Sequence, residues 1–268
     1  MPYKIQSGEV AVQNSIMDYI AFGEGAEPLI ILPGLSDGLH TVAHKPRQSA
    51  NPFRAYAKRY KVYIFSRRRD LPEGYTTRDM ARDQAAAMEA LNIRRANVMG
   101  ISMGGMIAQY LAIDRPYMVK KLVLAVTLAR PNETIRRTVS RRLDWAEEGE
   151  YHPIVVDTIE MSSTLSRRKL YRPFYGLLGR TGKPKDFTRF IIHANACMNH
   201  DASADLHRVA CPTLVIGGDS DRNIGKGTSE ELAAMIHGSS LYVYPNQGHA
   251  VFLEEADDFS ARVLGFLK

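Results

Sequence analysis

The chain has 268 residues, 45% of them apolar and 24% charged. That balance is close to the averages of globular proteins and excludes disordered, collagen-like and fibrous classes, while the length suits one α/β unit. The formal net charge is +6, yet no interleaved aromatics and no helix-turn-helix, zinc-finger or RNA-recognition signature accompany the basic residues, so no nucleic acid partner is expected.

Residues 1–12 mix Lys4, Gln6, Ser7 and Glu9 among apolar residues, without the continuous apolar core of a signal peptide. No segment reaches about 18 uninterrupted apolar residues, so a cytoplasmic location and no membrane partner are expected. Two short apolar runs, 29–32 and 61–65, lie between turn formers and are predicted as buried strands. Arg67, Arg68 and Arg69 follow the second run, and Arg136, Arg137, Arg141 and Arg142 form another cluster. Both read as solvated faces, the alternative being a field that favours anionic substrates.

Residues 77–91 carry Met80, Ala81, Ala85, Met88 and Leu91 at helical spacing, with Thr77 as the predicted N-cap. A strand over 96–99 runs into Gly100, Ser102, Gly104 and Gly105, after which 106–113 is apolar at helical spacing. Another strand is predicted at 122–126. From 130 to 209 no parallel-sheet strand is evident, and 135–143 and 187–198 have helix-compatible spacing. This stretch reads as a helical insertion over the sheet. Within it, His193 and His200 either touch substrate or pack. Cys197 and Cys211 are too few for a disulfide framework and lack zinc spacing, so they are read as reduced structural thiols, and no metal is expected. The alternation resumes with a strand at 213–216, a helix near 229–236, a strand at 241–244 and a helix at 255–267. Strands alternating with helices imply a mostly parallel sheet covered on both faces. The expected division is a core of 1–129 and 210–268 with a cap of 130–209.

Gly100-Ile101-Ser102-Met103-Gly104 has the G-x-S-x-G form between a strand and a helix. A serine there sits on a tight turn where only small residues fit at the glycine positions. The turn pushes the hydroxyl out at the carboxyl end of the strand and sets the N–H of Met103 at a helix start, where it can bind an oxyanion. A serine hydroxyl is a poor nucleophile at neutral pH and needs a base and a group to orient it. His249 follows the last predicted strand across Pro245-Asn246-Gln247-Gly248, at the same sheet edge as Ser102. An acid lies just beyond strand 213–216 in Gly217-Gly218-Asp219-Ser220-Asp221, with Asp221 the candidate and Asp219 its rival. Met103 and Met106 line an apolar acyl pocket or fill core space. Ser36 and Asp37 line the pocket or hydrogen-bond within their loop.

On these residues the chain resembles the α/β-hydrolase fold superfamily over nearly its whole length outside the insertion. Ile30-Ile31-Leu32-Pro33-Gly34 resembles that family's strand and oxyanion turn, residues 66–70 its Arg-rich loop, 210–216 its approach to the acid, and Gly248-His249 its terminal Gly-His. The resemblance implies a mostly parallel twisted sheet flanked by helices, with a helical cap inserted after the central strands. It assigns Asp221 over Asp219, since the acid stands three residues after a glycine, here Gly218. It also implies the N–H of Leu35 as second oxyanion donor. Pro33 departs from the family by replacing the usual histidine.

The expected function is hydrolysis of an ester-like carbonyl, ester or lactone, of a small molecule through Ser102, His249 and Asp221. Leu35 and Met103 serve as oxyanion donors, Ser36, Met106 and His193 as substrate contacts, and no cofactor is required. The alternatives are other serine-dependent chemistries of the same fold (carbon–carbon bond hydrolysis, aminopeptidase, acyltransferase or perhydrolase activity) and noncatalytic ligand binding.

Overall fold

The structure is a computed structural model that describes residues 3–268. The strands are β1 (Gln6–Val12), β2 (Ser15–Phe22), β3 (Glu27–Leu32), β4 (Tyr60–Arg68), β5 (Ala96–Ile101), β6 (Val119–Ala125), β7 (Thr213–Gly218) and β8 (Ser240–Tyr244). The helices are α1 (Pro46–Ala50), α2 (Thr77–Ala90), α3 (Met103–Asp114), α4 (Glu133–Glu147), α5 (Tyr151–Ser162), α6 (Leu165–Tyr171), α7 (Thr188–Met198), α8 (Thr228–Ala234), α9 (Val251–Glu254) and α10 (Ala256–Leu267). All eight strands form one sheet in the order β1-β2-β4-β3-β5-β6-β7-β8. The β1–β2 and β2–β4 pairs are antiparallel and every other pair is parallel.

The central strands read as uninterrupted apolar runs because both of their faces are covered. In β5, Val98 packs into one core with Met80 and Met88 of α2 and Ile107 of α3, while Met99 points to the other face with Phe259 and Val263 of α10. Strand β6 divides in the same two-residue period, Leu122 and Leu124 to the first core, Val123 and Ala125 to the second. This is the architecture expected from the resemblance, with α4 to α7 as the helical cap between β6 and β7.

Several details depart from the expectations. The hairpin β1–β2 was not evident in the sequence because its outer strand is mostly exposed and polar residues interrupt its apolar ones; only Val10 and Val12 of β1 are buried. Helix α2 is capped by Thr76 rather than Thr77. The Thr76 hydroxyl accepts from the N–H of Asp79 at 3.1 Å, and the Asp79 carboxylate accepts from the N–H of Thr76 at 3.0 Å, closing a reciprocal capping box. Thr77 is buried instead, its hydroxyl 2.9 Å from Nδ1 of His200. Helix α3 begins at Met103, three residues before the apolar periodicity becomes visible. The arginine clusters are not uniformly solvated faces: Arg67, Arg68 and Arg142 are buried. Each guanidinium has a partner outside its own strand or helix: Arg67 the Pro33 carbonyl and the Asp37 carboxylate, Arg68 the Asn14 side chain, and Arg142 the Asp157 carboxylate, which offsets part of the cost of burying the charge. Cys197 is buried, Cys211 partly so, and both are free thiols.

Candidate active site

Between β5 and α3 the chain turns so sharply that Ser102 adopts φ 53° and ψ −122°, a conformation that costs a non-glycine residue energy and persists only where the surroundings impose it. They do so through close packing. A Cβ at Gly100 would lie 2.4 Å from the carbonyl oxygen of Gly104, and one at Gly104 would lie 2.0 Å from that of Leu32. The N–H of Ser102 donates to the carbonyl of Ala125 at 2.9 Å, which fastens the turn to β6. Met103 opens α3, so its N–H has no partner within the helix.

The turn after β3 lies against the serine. A Cβ at Gly34 would come 3.4 Å from Cβ and 3.8 Å from Oγ of Ser102. Leu35 then begins a short 3₁₀ turn, Leu35–Gly38. Buried arginine holds this turn from beneath: Arg67 Nη2 donates to the carbonyl of Pro33 at 2.5 Å, and the N–H of Arg67 donates to Oδ2 of Asp37 at 3.0 Å. Arg189, from α7, donates to the carbonyl of Asp37 at 2.7 Å and to that of Arg67 at 3.0 Å. Burial pulls the Arg67 guanidinium below its ordinary value, opposed by the Asp37 carboxylate. Where the family's usual histidine would stand, the structure therefore has a proline whose carbonyl is fixed by a charged donor. The Asp37 carboxylate accepts from Arg67 of β4 and Arg189 of α7 and makes no side-chain hydrogen bond within its own loop.

At the far side of the sheet edge, Nδ1 of His249 lies 2.6 Å from Oδ2 of Asp221. The other Asp221 oxygen accepts from the N–H groups of Asn223 at 2.8 Å and Ile224 at 3.2 Å. Asp219 does not meet the histidine. Its Oδ1 accepts from the N–H of Asn246 at 2.7 Å and from the Ser220 hydroxyl at 2.8 Å, tying the turn after β8.

These loops are also fastened to the cap. The N–H of Ala250 donates to the carbonyl of Ser162 at the end of α5, 2.9 Å away, and Asn223 Nδ2 donates to the Ser162 hydroxyl at 3.0 Å. Arg142 of α4 donates through Nη2 to Oδ1 of Asn223 at 2.8 Å and through Nε to Asp157 at 2.7 Å. Asn132 donates to the carbonyl of Ile224 at 2.6 Å. Sequence reasoning missed Arg67, Arg189, Arg142, Asn223 and Ser162. The only signal was two arginine clusters, and nothing local distinguishes a buried arginine from a solvated one.

The predicted substrate contacts are placed unevenly. Ser36 is exposed in the 3₁₀ turn, where its carbonyl accepts from the N–H groups of Leu39 and His40. Met103 and Met106 are each 1% exposed and pack in the core. His193 is fully buried behind the turn, and a Cβ at Gly38 would come 2.9 Å from its Nδ1. Burial, reinforced by Arg67 and Arg189, drives His193 well below the usual imidazole range, so it is neutral. His200 is pushed down to about 3 by burial, and its Nε2 lies 3.3 Å from Oε1 of Gln109. Among the described residues, no cluster of three His, Cys, Asp or Glu side chains suits a metal ion, and no helix is long and apolar enough to cross a membrane.

Comparison with known proteins places this geometry in context. The model of the alpha/beta hydrolase fold matches residues 27–256. The chain is 27% identical to "Serine hydrolase BPHL" of Mus musculus over 98% of its own length and 87% of that protein's. It is 26% identical to a "2-hydroxy-6-oxononadienedioate/2-hydroxy-6-oxononatrienedioate hydrolase" of Paraburkholderia xenovorans strain LB400, over 98% of this chain and 93% of the relative. Its fold superposes on the crystal structure of MGS-M2, an alpha/beta hydrolase enzyme from a Medee basin deep-sea metagenome library, with a TM-score of 0.86 at 23% identity, covering 97% of both chains.

Proposed function

The chain belongs to the α/β-hydrolase fold family, and from that premise we propose that it is a serine hydrolase that cleaves a carboxylic ester or lactone of a small molecule, with Ser102 as nucleophile, His249 as base and Asp221 as the acid that orients it. The observation that carries this reading is the 2.6 Å contact between His249 and Asp221 at the sheet edge where the strained Ser102 turn emerges.

In the proposed reaction His249 Nε2 takes the Ser102 proton as Oγ attacks the carbonyl carbon. The carbonyl oxygen becomes an oxyanion, which the N–H groups of Leu35 and Met103 stabilise. Collapse of the tetrahedral intermediate expels the alkoxide, which takes the proton back from His249. Water then attacks the acyl-enzyme with His249 again as base, releasing the acid and restoring Ser102. Acyl transfer to water by this route needs no cofactor. The cap, 130–209, covers the site and selects the substrate.

A second reading, hydrolysis of a carbon–carbon bond next to a ketone, is favoured by the relative named for 2-hydroxy-6-oxononadienedioate, which spans 98% of the chain. The two readings share the serine and differ in the bond that breaks.

Labelling with a fluorophosphonate probe tests the activated serine: folded wild type is expected to label and Ser102→Ala not to. Absence of labelling in folded wild type would overturn the proposal. A panel of esters, lactones and carbon–carbon substrates then separates the two readings by which class turns over.

A further inference from the structure

The chain's positive charge is not spread evenly. Residues 163–185 hold seven Lys and Arg and no Asp or Glu, leaving 28 basic against 29 acidic residues elsewhere. The entire surplus of +6 therefore resides in one short stretch of the cap. The same stretch carries the exposed apolar surface. Of the seven large hydrophobic side chains exposed among the described residues, four are Leu165, Leu170, Phe174 and Leu177, between 55% and 62% exposed. They stand on α6 and on the 3₁₀ turn Arg172–Leu177, neither of which buries a single residue. Monomeric proteins rarely cluster large apolar side chains in water, and such clusters mark contact surfaces.

The segment is held in place on its inner side. Glu160 of α5 accepts from Arg168 at 3.3 Å, from Arg172 at 2.7 Å and from the Tyr175 hydroxyl at 2.6 Å. The three groups hold its carboxyl down at about 2, with the Arg172 hydrogen bond the largest cause. The N–H of Thr164 donates to Glu254 at 3.2 Å, so α6 starts against α9. This leaves Arg167, Lys169, Arg180 and Lys183 exposed in the same stretch of chain as the four apolar side chains.

Leucine and phenylalanine interleaved with lysine and arginine on a short, outward-facing helical segment match a surface with an apolar interior beneath anionic headgroups. A nucleic acid would engage the cations and leave the four apolar side chains in water. A second copy would set like charges against each other. We propose that α6 and the Arg172–Leu177 turn seat this protein on an anionic lipid surface, with Leu165, Leu170, Phe174 and Leu177 entering the acyl boundary and the surrounding cations on the headgroups. A peripheral seat of this kind needs no spanning helix, so it revises the expectation of no membrane partner, which rested on the lack of one.

Co-sedimentation of the full chain with phospholipid vesicles tests the proposal. Wild type is expected to pellet with vesicles of phosphatidylcholine and phosphatidylglycerol in a two-to-one ratio and to remain in solution with phosphatidylcholine alone. The double variants Leu170→Glu/Phe174→Glu and Lys169→Glu/Arg180→Glu are each expected to lose at least about tenfold in partitioning. Tyr117→Glu, which removes an exposed aromatic outside the segment, is expected to bind as wild type does. All substituted side chains are exposed, so unchanged thermal midpoints check that each variant is folded. The proposal is overturned if wild type ignores the mixed vesicles, if Leu170→Glu/Phe174→Glu binds them undiminished, or if Tyr117→Glu loses as much. A dimer in sedimentation velocity that both double variants dissolve would assign the face to a second copy and overturn it equally.

Discussion

Ser102 and the pair His249 and Asp221 lie at the carboxyl ends of the parallel strands but are held by different parts of the molecule. The serine turn is fastened within the core, by the Ala125 carbonyl of β6 and by glycines packed against Leu32 and against each other. The loops of Asp221 and His249 depend in addition on the cap, through Ser162, Asn223, Arg142 and Asn132. A turn packed against a sheet has one geometry available to it, whereas loops braced by a separate layer take their positions from that layer. Changes in the cap are therefore expected to reach the proposed base while leaving the serine turn intact.

The sharpest test of this division begins at the pair itself. Asp221→Asn keeps the shape of the acid but loses its charge and alters the imidazole tautomer it supports. Turnover is expected to fall about 10³- to 10⁴-fold while the fold persists; full turnover would mean that Asp221 is not the orienting acid. Gly104→Ala attacks the other region. With a Cβ 2.0 Å from a backbone oxygen, it is expected to cost about 3 kcal/mol in chemical denaturation, and a neutral result would contradict the tight packing of the serine turn.

Arg142→Met joins the two regions. Loss of its bond to Asn223 is expected to slow fluorophosphonate reaction at Ser102 about tenfold per folded molecule, because the base is less well positioned. Arg142→Lys should recover only part of this, since an ammonium cannot reproduce the guanidinium fork that meets Asp157 and Asn223 together. An unchanged rate in folded Arg142→Met would dissolve the comparison.

A pH experiment probes the cap's inner seam, where His200 lies against Thr77 of α2. Burial holds His200 at about 3, down from 6.5, so between those values the unfolded chain binds a proton that the folded one refuses. Its contribution to stability is full above about 6.5 and falls as pH drops towards 3. Denaturation midpoints of His200→Gln, which cannot be protonated, are expected to fall less steeply over that window than those of wild type. The smallest effect is expected at Thr76→Ala, which opens the capping box of α2 and removes none of the bonds that fasten the Asp221 and His249 loops. It should cost about 1 kcal/mol without altering the rate at Ser102.

What was legible in the sequence follows from range. The apolar runs of β3 to β7, the helical spacing of α2 and the Gly100-to-Gly104 turn are patterns over a few neighbouring residues, and each reappears in the fold. The β1–β2 hairpin was not legible because an edge hairpin buries too few residues to show a clean alternation. Periodicity points to Thr77 as the cap because it marks where the apolar face begins, whereas the cap is decided by which hydroxyl reaches the free N–H of Asp79.

Short-range pattern was enough for the α/β architecture and the strained serine turn, since both are written in local periodicity and steric need. Contacts across the fold set the rest: His249 meets Asp221 while Asp219 ties a turn, Arg67 is buried beneath the Pro33 carbonyl, and Arg142 braces the Asp221 loop from the cap. Those choices belong to hydrogen bonds between residues many positions apart. A side chain's own neighbours in sequence carry no information about which distant donor or acceptor it will meet, or about whether its charge will end in water or inside the fold.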